Sequence, residues 1–76
     1  MSVKEQLQNN LKGLIRADNI YEVGSLFEGH PGYITIDCDN GLITRKAIIQ
    51  LQKAGFSSFF NLDGNKIHFI NDENYL

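Results

Sequence analysis

The sequence predicts a small α+β domain: an antiparallel sheet of about four strands with two helices, in the order α-β-β-α-β-β. Three observations carry that expectation. Two stretches place apolar residues at helical spacing, four others alternate or are rich in β-branched and aromatic residues, and Gly-containing turn signals separate them. Seventy-six residues make one domain, 1–76, because two halves of that length could not each bury a core.

Ser2-Val3-Lys4-Glu5 has the form of a capping box, in which a Ser hydroxyl and a Glu carboxylate satisfy amides at a helix start. Val3, Leu7, Leu11, Leu14 and Ile15 follow at helical spacing, so an amphipathic helix is expected from Val3 to about Arg16. Gly13 within it points to a close approach by a neighbouring element. Asp18-Asn19 breaks the pattern. From Ile20 to Glu28, Tyr21, Val23 and Phe27 alternate as a strand does, while Asn19 and Glu22 also suit a short capped helix; strand is favoured.

Glu28-Gly29-His30-Pro31-Gly32 is a turn leading into a second strand, Tyr33 to Cys38. There Ile34, Ile36 and Cys38 alternate with Tyr33, Thr35 and Asp37. Asp39-Asn40-Gly41 ends that strand. A helix capped by Thr44 is expected from Thr44 to Ala54, burying Ala47, Ile48, Leu51 and Ala54, with Gly55 as its left-handed stop and Phe56 folded back. Asp63-Gly64 reads as a two-residue turn between strands 56–62 and 65–70. Such a turn pairs Phe60 with Ile67 and Ser58 with Phe69, placing Phe59, Lys66, His68 and Ile70 on the outer face. Residues 71–76 read as a flexible polar tail.

Composition narrows the function classes. Cys38 is the only cysteine, so no disulfide forms within the chain, and the polar start has no targeting region. A cytoplasmic location is the expectation. The formal charge is −2 with Lys and Arg dispersed, whereas nucleic-acid binders usually carry a basic stripe.

Ile36-Asp37-Cys38-Asp39-Asn40-Gly41-Leu42-Ile43-Thr44 resembles the first motif of the haloacid dehalogenase-like phosphatases. That resemblance would make Asp37 a nucleophile and Asp39 an acid–base group beside magnesium. Asn40-Gly41 departs from the Gly-Thr of that family, and too little chain remains for its later motifs, so the carboxylates read as a solvated turn. The same segment fails as an EF-hand loop because Ile48 stands where a Glu should close the site. Gln52-Lys53-Ala54-Gly55-Phe56 followed by His68 resembles HicA-type toxin ribonucleases, but Gly64-Asn65-Lys66-Ile67 replaces the Gly-Ser that precedes their His. His30, Cys38 and His68 lack metal-ligand spacing. The expectation is therefore no enzyme, no metal and no cofactor.

What remains is an apolar surplus. With one helix for each sheet face, Phe59 and Ile70, joined by Tyr33 or Tyr21, would remain partly uncovered. The expected function is a protein-interaction module, of the kind a phage or mobile element uses to inhibit or modulate a host protein. Phe59, His68, Ile70, Lys66 and Tyr33 form its candidate surface, and homodimerisation is a further expectation. The alternative is a small nucleic-acid-binding regulator using the hairpin face with Arg45, Lys46 and Lys53. No membrane partner is expected.

Overall fold

The computed structural model describes residues 1–25, 27–56, 59–61 and 64–75, the side chains of 59–61 and 75 excepted. The chain is α+β, with two α-helices and an antiparallel sheet. The elements are α1 (Val3–Asn10), β1 (Ile20–Val23), β2 (Tyr33–Asp37), α2 (Gly41–Lys53), β3 (Phe59–Asn61) and β4 (Lys66–Ile70). Short 3-10 turns stand at Ala17–Asn19 and Glu73–Tyr75.

Helix α1 begins where its cap requires. The Glu5 amide donates to Ser2 Oγ at 3.1 Å, and the Ser2 hydroxyl donates back to the Glu5 carboxylate at 3.1 Å. The helix is shorter than the apolar periodicity predicts. Gly13 adopts φ +90°, a left-handed conformation that ends a helix, and the Ile15 amide closes the turn on Leu11 O at 2.9 Å. Leu11 and Ile15 still point into the core, so the helical spacing outlasts the helix. Nothing lies within 4 Å of a Cβ built on Gly13; its role is conformational, and no close approach explains it.

Helix α2 starts three residues earlier than expected and is capped by Asn40, not Thr44. Asn40 Oδ1 accepts from the Ile43 amide at 2.9 Å, and Thr44 lies a turn inside, its hydroxyl donating to Asn40 O at 2.7 Å. The far end is a Schellman stop: the Phe56 amide reaches Leu51 O at 2.9 Å and the Gly55 amide reaches Gln52 O at 3.1 Å, with Gly55 at φ +93°. Ala54, expected in the buried stripe, is the exposed C-cap residue, α2 having already ended at Lys53. Phe56 then meets Phe69 edge to face, with ring centroids 6.2 Å apart.

The strands lie in the order β1-β2-β4-β3, all neighbours antiparallel. Ile20, Ile36 and Ile67 stand opposite one another across three strands, and Ile34 stands opposite Phe69. All five are buried, and they share one cluster with Val3, Leu7 and Leu11 from the α1 side and Ala47 and Leu51 from α2. Both helices therefore cover the same sheet face, which corrects the expectation of one helix for each face. Gln50 Nε2 donates to Asn10 O, tying the two helices side by side.

The β3–β4 register also corrects the sequence reading. Phe59 stands opposite Phe69, Phe60 opposite His68 and Asn61 opposite Ile67, one step from the expected pairing. Ser58 lies outside the described residues. Five residues, 62–66, separate the paired Asn61 and Ile67, an odd number that a two-residue turn does not give. The reason lies on the other side of β4. Asn65 O accepts from the Cys38 amide at 2.8 Å, continuing the β2–β4 ladder beyond Asp37 and Lys66, so β4 is held by the central strand. A one-residue shift exchanges faces. Position 59 thus falls opposite buried Phe69, and position 60 takes its place beside His68.

After β4 the chain turns back: the Asn71 amide donates to Gly32 O at 2.9 Å and the Asn74 amide to Asp72 Oδ1 at 2.9 Å. Among the described residues no helix is long and apolar enough to cross a membrane.

Candidate partner-binding face

The sheet face turned away from both helices collects most of the residues singled out from the sequence. Three rows cross it. Val23, Tyr33 and Ile70 form one, Tyr21, Thr35 and His68 the next, and Asp37 stands opposite Lys66 in the third. These neighbours follow from strand periodicity: residues that alternate with the buried Ile set must share the other side. Of the predicted site residues, Tyr33, Lys66, His68 and Ile70 come together here, each half-buried. Phe59 holds a register position opposite Phe69, and its side chain lies outside the described residues.

The centre of this face is dry. Thr35 is only 2% exposed although it lies on the outer side, and its hydroxyl meets His68 Nδ1 at 3.0 Å. On this side of the sheet the exposed apolar groups lie at the β1 edge and the adjoining loop, while Leu42 and Ile49 are exposed on α2. Tyr21 is 39%, Val23 41% and Phe27 75% exposed. Phe27 was read in the sequence as the end of a strand, but β1 stops at Val23 and Phe27 belongs to a loop.

That loop has its own ties. The Phe27 amide donates to Ser25 Oγ at 3.0 Å, and the Gly32 amide donates to His30 Nδ1 at 2.9 Å. The His30 ring lies 5.0 Å from that of Tyr33. Val23, Gly24, Ser25, Phe27 and Tyr33 enclose an apolar hollow of about 350 Å³, room for one or two side chains. Val23 and Phe27 were not among the candidate residues, and Tyr21 entered only as an alternative to Tyr33 in the apolar surplus. The alternation of Tyr21 and Val23 was visible, but the assignment of a face depended on knowing that both helices choose the other side.

The remaining candidates separate. Arg45, Lys46 and Lys53 are exposed on α2, in the helical layer, so the sheet lies between them and the outer hairpin residues. Cys38 is buried in the core cluster while His68 belongs to the outer face, and no group of three metal-ligating side chains occurs among the described residues. Burial pushes the Cys38 thiol pKa up; Thr44 opposes this by hydrogen bonding, and the carboxylates of Asp37 and Asp39 reinforce it. Asp37 and Asp39 form a turn: Asp37 Oδ1 accepts from the Asp39 amide at 3.1 Å, and Asp39 has φ +65°. No family model matches the chain, and no curated protein or solved structure matches it either.

Proposed function

We propose that the chain is a protein-interaction module that docks a partner on the open sheet face. The observation that carries this reading is the one-sided packing: both helices seal one face, while Tyr21, Val23, Phe27, Tyr33 and Ile70 line the other side and its adjoining loop. Contiguous exposed apolar surface of this kind is characteristic of interaction sites. The face is a better docking surface than the β1 edge. Glu22 sits at that edge on the helix side of the ladder, opposite Ile34, and a charge so placed discourages addition of another strand. Modulation of a host protein by a phage or mobile-element chain fits this reading and belongs with it as a proposal.

Affinity capture followed by mass spectrometry tests it, using the wild type beside Tyr33→Ala. A protein retained by the wild type and released by the variant, at unchanged thermal midpoint, supports the reading. Retention indifferent to Tyr33→Ala, together with Ile70→Asp, rejects it.

A second reading has one observation in its favour. Tyrosines on an open antiparallel sheet can stack bases. The Lys and Arg side chains that would neutralise phosphates lie in the helical layer, and Lys66 on the sheet faces Asp37. Salt-sensitive retention on single-stranded nucleic acid would favour this alternative.

A further inference from the structure

The outward side of α2 mixes cations with aliphatic side chains. Thr44, Ala47 and Leu51 are the buried residues of this helix. Leu42, Lys46, Ile49 and Lys53 recur at the i, i+4, i+7, i+11 spacing of a single helix face, on the side opposite those three. Leu42 is 64% and Ile49 46% exposed. Leu14, from the turn after α1, joins Lys46, Ile49, Gln50 and Lys53 around a hollow of about 290 Å³. Gln50 is held in that wall by its bond to Asn10 O.

The charge here is one-sided. Among the described residues no acidic side chain lines the hollow, and α2 contains none. The bias runs through both helical segments: within 3–16 and 41–53 Glu5 is the only acid, and outside them Lys66 is the only base. Arg16 is a local exception, because it shares a different hollow with Asp37 and Asp39.

We infer that this hollow binds a short acidic protein segment, which brings Asp or Glu to Lys46 and Lys53 and inserts one apolar side chain beside Leu14 and Ile49. The site is separate from the open sheet face and does not rest on the docking reading made for it. Two ammonium groups on one helix face, with no carboxylate lining the space between them, favour an anionic partner. The aliphatic lining selects which anion. A phosphate backbone would satisfy Lys46 and Lys53 but leave Leu14 and Ile49 without an apolar partner, and no ring lines the hollow to stack a base. An acidic segment with an apolar anchor uses both features, since burying the anchor removes apolar area from water and strengthens the ion pairs around it. Size favours a segment over a second folded copy. The hollow takes one or two side chains, whereas a stable dimer buries roughly 800 Å² on each partner. An acidic surface of another copy placed here would also meet α2 head to tail, a contact that need not close.

The test is selection of short random peptides displayed on phage against the immobilised full chain, followed by anisotropy titration of labelled synthetic winners. Winners carrying Asp or Glu beside one large apolar residue are expected. Their affinity should fall about tenfold for Lys46→Glu with Lys53→Glu and about fivefold for Ile49→Ala, and stay within about twofold for Tyr33→Ala. Lys46, Ile49 and Lys53 are exposed, and equal thermal midpoints verify folding. Winners without acidic residues, winners indifferent to the Lys reversals, or no winners overturn the inference. Winners lost with Tyr33→Ala but kept by the α2 variants belong to the sheet face; they overturn the α2 site and leave the docking reading standing. A labelled single-stranded oligonucleotide that binds where no acidic peptide does, and is released by the Lys reversals, assigns the surface to nucleic acid and overturns the inference. Self-association abolished by the same reversals assigns the hollow to a second copy, with the same result.

Discussion

Thr35 Oγ1 and His68 Nδ1 stand 3.0 Å apart across the central strand pair, a polar contact sealed beneath the open face. Thr35 is a β-branched residue with strong strand propensity, so its backbone position needs no hydroxyl. The hydroxyl serves the imidazole. Thr35→Val retains the shape and removes the hydroxyl from this hydrogen bond. The expected cost is about 1–2 kcal/mol in urea denaturation. A loss below a few tenths of a kcal/mol would show that water replaces the hydroxyl freely.

Gly32 is the position least tolerant of a side chain. It has φ +85°, and a Cβ there would stand 2.5 Å from Val23 O, with Ser25 N at 3.4 Å. Gly29 has a similar φ of +83° but meets nothing within 4 Å. Gly29→Ala should therefore cost only the left-handed penalty, roughly 1–2 kcal/mol. Gly32→Ala adds a backbone collision that no rotamer change relieves, and should cost more than Gly29→Ala by at least about 1 kcal/mol. Equal denaturation midpoints for the two variants would contradict this assignment of the close approach.

Asn40 caps α2 through Oδ1, so Asn40→Ala should destabilise by about 1 kcal/mol. Asn40→Asp keeps the acceptor and should stay near wild type by thermal denaturation. Thr44→Ala lacks the cap effect, but Thr44 Oγ1 also bonds Asn40 O at 2.7 Å and the residue is 4% exposed. Its loss should therefore appear as a separate, packing-related cost in the same melts.

Much of this architecture is legible in residue order, and the misses share a cause. The alternation of Ile34 and Ile36 with Tyr33 and Thr35 places each residue on its observed side, because a strand allows only two directions. Gly55 and Phe56 read correctly because a Schellman stop is a local motif. The β3 register did not, since Asp63-Gly64 describes an isolated hairpin while β4 is held by Cys38 and Asn65 on its other side. Likewise Leu14 and Ile15 continue the α1 stripe, yet Gly13 lets the chain leave the helix while Ile15 remains buried. The proposed docking face is half legible in the sequence: Tyr33 and Ile70 are expected on it, but Val23 and Phe27 depend on which face both helices select.

Cys38 gives a prediction with a definite sign in pH. It is 1% exposed, and burial raises its thiol pKa above the ordinary 9.0, partly countered by Thr44 and reinforced by Asp37 and Asp39. The folded state holds this proton more tightly than the unfolded chain does, so its contribution to stability is complete below pH 9.0. It is lost progressively as pH rises from there through the folded pKa, because the unfolded state ionises first. Stability measured by urea denaturation should therefore decline through the alkaline range, and Cys38→Ala should flatten that decline while lowering stability at neutral pH by about 1 kcal/mol for the lost packing. The native thiol should also resist an aromatic disulfide reagent at mildly alkaline pH and react at once in denaturant, since the nucleophile is the thiolate. Rapid native labelling, or an unchanged alkaline slope in Cys38→Ala, would show that the β2 end opens far more readily than its buried contacts allow.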